Sequence, residues 1–140
     1  MESVAVVIPT LNEERAIGDV IERIPVSDLL KDGFETTAYV VDGHSTDATR
    51  EIGTRNGARI NGARIISDEG KGKGAAVRAA FEVVDADYVI MVDGDDTYPI
   101  NVATEMVCLL QTHDVVIGSR LKGRIEPGAN SGANCVEWRA

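Results

Sequence analysis

Short apolar runs that alternate with segments of helical spacing limit how this chain of 140 residues can fold. The runs are rich in β-branched residues and bounded by polar ones, which is typical of buried strands. We predict strands at Ser3–Thr10, at Thr37–Asp42, at Ala63–Ser67, from Tyr88, and at Asp114–Gly118. Unbroken apolar strands that alternate with helices indicate an α/β fold, in which helices cover both faces of a mainly parallel sheet.

Helices are predicted between these strands from capping residues and apolar periodicity. Asn12 is expected to cap the first helix, which Pro25 ends. Its apolar stripe consists of Ile17, Val20, Ile21 and Ile24. Further helices are expected at about residues 47–56, 75–84 and 102–111.

Composition and charge restrict the class of protein. A formal net charge of −9 argues against non-specific binding of nucleic acid or of an anionic membrane surface. No apolar run approaches the roughly 18–20 residues that span a bilayer, and no secretory signal is expected. Cys108 falls on an apolar stripe and Cys135 in a polar segment, so we expect a reduced cytoplasmic protein, at most peripheral at the membrane. One domain is predicted over residues 1–123, followed by an irregular tail over 124–140.

Three carboxylates follow the run that begins at Tyr88, where a parallel sheet gathers its ligand-binding loops. Asp93, Asp95 and Asp96 would repel one another unless a cation or a donor network compensates them. Hard oxygen ligands suit Mg²⁺ or Mn²⁺, which complete their coordination with substrate phosphates. The alternative is a charged turn after a core strand.

Other polar clusters also follow predicted strands. They are Pro9–Glu13, Asp42–Asp47, Gly70–Lys73 and Ser119–Arg120. Carboxylates, a Gly/Lys loop and an arginine together suit a nucleoside diphosphate. The Gly/Lys loop lacks the spacing of a Walker loop and could instead be a flexible connection, and no dinucleotide fingerprint follows the first strand.

Five motifs carry a resemblance to a known family. They are Val7–Glu13 (Val-Ile-Pro-Thr-Leu-Asn-Glu), Val41–Thr49, Gly70–Gly74 with Arg78, Asp93–Pro99 (Asp-Gly-Asp-Asp-Thr-Tyr-Pro), and Gly118–Arg120. In order and spacing they resemble family 2 glycosyltransferases, in particular the polyprenyl- or dolichol-phosphate hexose synthases. The resemblance implies a Rossmann-like GT-A fold, the sheet of nucleotide-diphospho-sugar transferases.

The resemblance also implies roles for individual residues. Asp93 and Asp95 would hold Mg²⁺ or Mn²⁺, while Asp95, Asp96 and Arg120 are candidate catalytic residues. The residues expected to contact the nucleotide sugar are Pro9, Leu11, Asn12, Glu13, Asp42, Lys71, Asp93, Gly94, Asp95 and Arg120. Many members carry a second acid where this chain has Gly43, so both UDP and GDP stay open.

The implied reaction moves a hexose from a UDP- or GDP-linked donor to a lipid phosphate such as dolichyl or polyprenyl phosphate, with inversion. A phosphate acceptor is already anionic and needs no general base, whereas a hydroxyl acceptor does. Asp96 is a candidate for that base, although a supporting role is favoured. The acceptor surface is expected from a second copy of the chain or from a partner subunit.

Two other functions are considered. A truncated, non-catalytic nucleotide-sugar binding fragment would keep the donor site without transfer. A nucleotidyltransferase would share the sheet and the metal carboxylates, but it would carry a Gly-rich basic loop directly after the first strand, which this chain does not.

Overall fold

The computed structural model describes residues 1–57, 63–67 and 72–118. Its strands are β1 (Glu2–Thr10), β2 (Phe34–Asp42), β3 (Ala63–Ser67) and β4 (Tyr88–Met91). Its helices are α1 (Ile17–Glu22), α2 (Val26–Lys31), α3 (Thr49–Gly57), α4 (Lys73–Val83) and α5 (Ala103–Leu110). A short 3₁₀ helix, Ile100–Val102, leads into α5.

The four strands form one parallel sheet in the order β3-β2-β1-β4. Register aligns Thr10 of β1 with Asp42 of β2, and Asp42 with Ser67 of β3. The carboxyl ends of these three strands therefore reach the same edge of the sheet. The prediction of a parallel α/β fold is confirmed.

Helices pack on both faces because successive side chains of a strand point to opposite sides. On one face Val4, Val6 and Ile8 of β1 belong to the larger core cluster, which includes side chains of α1, α2 and α5. On the other face Ala5 and Val7 join Tyr39, Val41 and two alanines of α4 in a smaller cluster. The buried strand pattern predicted from the sequence is thus observed on both faces.

The first predicted helix needs correction at its start. Asn12 does not cap α1; it adopts a left-handed backbone (φ 54°), and α1 begins only at Ile17, behind Ala16, without a side-chain cap. The reason is that the Asn12 amide accepts a hydrogen bond from the loop after β2. The stripe that ends in Ile24 is buried as predicted, but α2 after Pro25 was not anticipated.

The predicted strand at Asp114–Gly118 is also wrong. These residues carry no strand pairing within the described part of the chain, and Val115 and Ile117 are 70% and 80% exposed. β-Branched residues favour extended backbone, but a strand also needs a partner for its N–H and C=O groups. Among the described residues β4 pairs only with β1, and no partner runs along its other edge.

A membrane-spanning helix was not expected from the sequence. Within residues 1–57, 63–67 and 72–118, no helix has the length and apolar character needed to cross a bilayer.

Candidate functional site

The site forms where the direction of the chain across the sheet reverses. From β1 the chain proceeds outward to β2 and β3, and then returns to place β4 on the opposite side of β1. Such a switch point leaves a crevice at the carboxyl ends of the two central strands, where open α/β sheets bind ligands. Here the crevice lies between the residues after β1 and the acidic segment after β4.

Gly94 brings these two segments together. It is buried, and a Cβ atom on it would lie 2.4 Å from Cγ2 of Thr10 at the end of β1. Real Cβ contacts are never that short, so the position excludes every residue with a side chain unless Thr10 moves. The absence of a side chain at Gly94 therefore lets the aspartates on either side of it lie against the end of β1.

The loops after β1 and β2 are joined by reciprocal hydrogen bonds. The Asn12 N–H donates to Oγ of Ser45 (2.9 Å), and the Thr46 N–H donates to Oδ1 of Asn12 (2.8 Å). Next along the chain, the Glu13 N–H donates to Oγ1 of Thr49 (2.8 Å). Each such bond contributes about 0.5–1.5 kcal/mol net, so together they fix the loop that carries Glu13 against the start of α3.

The same contact continues through two carboxylates. The Glu14 N–H donates to Oδ2 of Asp47 (3.2 Å), and the Ala48 N–H donates to Oε2 of Glu14 (3.0 Å). Hydrogen bonds from Thr49 lower the pKa of the Asp47 carboxyl, since they stabilise its charged form. Asp47 lies just before α3, which begins at Thr49 and not at about residue 47 as predicted.

Each of the three aspartates after β4 has a different partner: a lysine of α4, a threonine two residues further along the chain, or the arginine that follows α1. Asp93 is ion-paired through Oδ1 with Lys73 of α4. Oδ1 of Asp95 accepts from the N–H of Thr97 (3.1 Å) and from its hydroxyl (2.7 Å). Asp96, with a left-handed backbone (φ 60°), accepts from Nη1 of Arg23 at 2.7 Å on both oxygens.

The pKa of Glu13 reflects the negative charges that lie close to it in the crevice. Its pKa is raised, first by burial and then by the nearby charges of Asp95, Asp47 and Asp93. A carboxylate that is harder to ionise because of its neighbours marks a region where a cation would be stabilised. Glu13 and the metal candidates are therefore close enough to interact.

Asp42, expected at the nucleotide, is more deeply buried than a contact residue needs to be. Its side chain is fully buried, with Oδ2 accepting from the Ser45 N–H (3.1 Å) and lying 3.9 Å from Nη1 of Arg50. Oδ1 has no hydrogen-bond partner among the described residues. An unpaired buried acceptor is unfavourable, so Oδ1 of Asp42 is left with an unmet hydrogen bond.

A cavity of about 450 Å³ adjoins the acidic segment. Asp93 and Lys73 supply its charged lining, and apolar residues, among them Phe81, Met91 and Met106, line most of the rest. The cavity lies along β4 and α5, next to the position where an ion held by Asp93 would sit.

Most sequence-predicted site residues are brought together. Pro9, Leu11 and the following loop border the crevice from β1, and the 93–95 segment borders it from β4. Lys71 and Arg120 lie outside the described residues, as do the tail at 124–140 and Ser119.

Two basic residues, Lys73 and Arg23, were not named as individual site candidates from the sequence, although Lys73 lies in the predicted Gly70–Lys73 cluster. Lys73 belongs to the same Gly/Lys motif as Lys71, so spacing alone could not choose between them. Arg23 gave no signal, because 73 residues separate it from Asp96.

The donor chemistry of the site fits a hard divalent ion. Across the described part of the chain, no group of three or more His, Cys, Asp or Glu side chains is arranged as a metal site. Mg²⁺ and Mn²⁺ are nevertheless commonly held by one or two carboxylates with substrate phosphates completing the shell. Asp93 and Asp95 match that smaller requirement, and both add to the raised pKa of Glu13, which burial raises first.

The fold and the acidic switch point are those of a GT-A glycosyltransferase. Residues 5–139 match the family described as Glycosyl transferase family 2, and the chain belongs to that family. The resemblance carried by the five motifs is thereby confirmed.

Two relatives come from Haloferax volcanii. Glycosyltransferase AglJ is 42% identical over 137 residues, covering 96% of this chain and 41% of that protein. A dolichyl-phosphate hexose transferase is 41% identical over 121 residues, covering 86% of this chain and 49% of that protein. The chain thus spans less than half the length of either relative.

Solved structures agree. Glucosyl-3-phosphoglycerate synthase from Mycobacterium tuberculosis, in complex with Mn²⁺, uridine diphosphate and phosphoglyceric acid, is 33% identical, with a TM-score of 0.55. The match covers 66% of this chain and 33% of that protein. Another structure of the same enzyme contains Mg²⁺ and uridine diphosphate.

Proposed function

We propose that this chain is the donor-binding part of a glycosyltransferase that moves a hexose from a UDP- or GDP-linked sugar to a phosphate-bearing lipid such as dolichyl or polyprenyl phosphate, with inversion and with Mg²⁺ or Mn²⁺. The observation that carries the proposal is the crevice between β1 and β4. It combines Asp93 and Asp95 with Glu13 at the switch point of a parallel sheet, where a nucleoside diphosphate would bind.

The metal assignment follows from charge. A divalent ion between Asp93 and Asp95 would neutralise the diphosphate and stabilise it as it leaves. The Mn²⁺ and Mg²⁺ complexes of the mycobacterial relative support this choice of ion.

Cationic side chains have a separate task. Lys73 already approaches Asp93, so its ammonium group is close enough to contact a phosphate there. Lys71 and Arg120 are proposed to contribute further positive charge to the donor or to the acceptor phosphate.

The nucleotide base is proposed to bind beside the joined loops after β1 and β2. Pro9 precedes the first of these loops, which contains Leu11 and Asn12. Leu11 is 57% exposed, which leaves its side chain available to a flat ring. Oδ1 of Asp42 has no hydrogen-bond partner among the described residues, and it would accept the ring N–H that uracil and guanine both carry. Because the Asp42 side chain is fully buried, this contact requires the loop after β2 to open. Adenine and cytosine present an acceptor at the corresponding ring nitrogen, so the carboxylate disfavours them.

A phosphate acceptor explains why no general base is evident among the described residues. An acceptor phosphate is anionic near neutral pH and can attack without losing a proton. Asp96, the candidate base, is instead ion-paired with Arg23, which supports a positioning role. The dolichyl-phosphate relative and the apolar cavity beside Asp93 both favour a lipid acceptor over phosphoglyceric acid, the acceptor-like molecule in the mycobacterial structure.

Thermal unfolding with UDP, GDP and ADP, each with and without Mn²⁺, tests the donor site, since a ligand that binds only the folded state raises the melting temperature. UDP or GDP should stabilise the chain only with Mn²⁺, and ADP should not. Asp95→Asn should abolish this shift, whereas Asp28→Asn, on the exposed surface of α2, should not. A full shift in Asp95→Asn would refute the metal site.

Transfer is tested separately with UDP- and GDP-linked hexoses and Mn²⁺. Polyprenyl phosphate and 3-phosphoglycerate serve as alternative acceptors. Labelled polyprenyl product supports the lipid acceptor. Mn²⁺-dependent nucleotide binding without any transfer would leave the chain as a non-catalytic donor-binding fragment.

A further inference from the structure

Three aspartates within four residues should offer a divalent ion three carboxylates, yet the structure separates one of them. Asp96 accepts two hydrogen bonds of 2.7 Å from Nη1 of Arg23. Among the described residues, Asp93 is ion-paired with Lys73 through Oδ1, and Asp95 accepts from Thr97 on Oδ1, whereas Asp96 is engaged on both oxygens. No group of three potential ligands is assembled within the described ranges, although the sequence places three side by side.

The position of Arg23 explains how Asp96 is held. Arg23 ends α1, and its own N–H donates to the carbonyls of Asp19 and Ile21, so the backbone that carries it is fixed. Asp96 has a left-handed backbone (φ 60°), which turns its side chain out of line with its neighbours. Its side chain is 22% exposed, so the ion pair is partly shielded from water.

We infer that Arg23 withholds Asp96 from the divalent ion, and that this makes ion binding depend on the nucleotide diphosphate. This inference rests on the proposed function. With two carboxylates the ion lacks ligands until the diphosphate supplies its oxygens. With three carboxylates the ion would bind to the protein alone, and the site would be filled before the donor arrived. Arg23 is thus a positioning residue for the donor-binding step.

Two variants that break the same ion pair separate this role from a structural one. Arg23→Gln frees Asp96 to approach the ion, whereas Asp96→Asn keeps a residue that tolerates a left-handed backbone and removes the third carboxylate. Because the variants remove charges of opposite sign, affinity for Mn²⁺ alone would shift in opposite directions even without a change of ligands. The inference requires more: the enhancement of Mn²⁺ affinity by nucleotide must shrink in Arg23→Gln.

The measurement is Mn²⁺ affinity, followed by electron paramagnetic resonance, with and without UDP or GDP. In Arg23→Gln, affinity for Mn²⁺ alone should rise by about ten-fold, the order expected for one more carboxylate about 5 Å from a divalent ion in water. The enhancement of Mn²⁺ affinity by nucleotide should shrink accordingly. In Asp96→Asn, affinity for Mn²⁺ alone should not rise, and Arg23→Lys should restore the wild-type ratio.

The results of these measurements distinguish failure of the inference from failure of the proposed function. Equal Mn²⁺ affinities in Arg23→Gln and Asp96→Asn, with both variants folded by thermal unfolding, would overturn the inference while the proposed function stands. A wild-type chain that binds no Mn²⁺ even with nucleotide would overturn both. A rise in affinity for Mn²⁺ alone in Arg23→Gln, together with a smaller enhancement by nucleotide, would support the inference. A rise by the same factor with and without nucleotide would reflect only the lost positive charge and would overturn it.

Discussion

Lys73, at the start of α4, forms an ion pair with Oδ1 of Asp93, which follows β4. The residues are 20 apart in sequence and meet because α4 crosses from β3 to the opposite side of β1. The ammonium group thus lies against a carboxylate that we assign to the divalent ion. The lysine and the proposed ion would compete for the same oxygen, and this competition can be measured.

Replacing Lys73 with Met should therefore strengthen binding of Mn²⁺ in the absence of nucleotide. The pair is half exposed, and such pairs contribute about 0.2–1 kcal/mol, so the gain should not exceed about five-fold. Isothermal titration with Mn²⁺ measures it. Lys31→Met is the matched control, since Lys31 pairs with Asp28 on α2 and loses the same charge away from the site. Equal affinities in the two variants would contradict the competition.

Glu13→Gln should stabilise the protein at neutral pH. The pKa of Glu13 in the folded protein lies above the ordinary value of a glutamate, so the folded protein binds the carboxyl proton more tightly than the unfolded chain does. The Glu13 contribution to stability is therefore highest below the ordinary pKa and falls as pH rises through the raised pKa. Glutamine resembles the protonated acid and removes this loss.

The check is the melting temperature of both proteins between pH 4 and 8, which is about the range where a raised carboxyl pKa changes stability. The melting temperature of Glu13→Gln should exceed that of the wild type by a margin that grows as pH rises and disappears at acid pH. Glu35→Gln, exposed on β2, removes an equal charge outside the crevice and serves as the control. A pH-independent difference, or an equal one in the control, would exclude the electrostatic explanation.

Gly94→Ala should destabilise the protein by about 1–3 kcal/mol, the usual result of overpacking. The new Cβ would meet Cγ2 of Thr10 at 2.4 Å. Thr10→Ser removes that methyl group and keeps the hydroxyl that donates to the Val41 carbonyl, so the double variant should recover most of the loss. Denaturant unfolding of the two single variants and the double variant measures the coupling.

The control for Gly94 is Gly74→Ala. Gly74 lies in α4, and a Cβ added there would meet no side chain or neighbouring element of the described residues within 4 Å. Because alanine also favours helix, this variant should be neutral or stabilising. If Gly94→Ala proved equally harmless, the close approach of β1 and the acidic segment would be wrong.

Asn12 combines a backbone role and a side-chain role that two variants can separate. Asn12→Gly keeps the left-handed backbone but loses the acceptor for the Thr46 N–H, so it should lower stability by about 1 kcal/mol. Asn12→Ala loses the acceptor and strains the backbone, which adds about 1 kcal/mol. Denaturant unfolding should rank wild type, Gly and Ala in that order. A loss of stability in Asn12→Gly as large as that in Asn12→Ala would contradict the left-handed backbone at this position.

The sequence predicted the strands better than the helix boundaries. β3 was predicted with the bounds it has, and β1 within one residue, because buried apolar runs identify strands that are enclosed on both faces. The start of α1 was predicted wrongly because the Asn12 amide satisfies a backbone group of another loop, which no local pattern records. The strand at Asp114–Gly118 was predicted wrongly because a strand depends on a partner as much as on its own residues.

The residues of the candidate site also differ in whether the sequence alone could identify them. Asp93, Asp95 and Glu13 could be named from the sequence, because their chemistry and their position after strands are local properties. Lys73 and Arg23 could not be selected, since what distinguishes them is which carboxylate they reach across the fold.

The sequence by itself determined the family, the parallel α/β class and the acidic residues that follow β1 and β4, because these follow from residue chemistry and from periodicity along the chain. Only the tertiary structure decided the strand order that opens the crevice beside β1, and how each aspartate is paired. The physical reason is that charge pairing acts over a few ångströms in space, whereas the sequence records only separation along the chain.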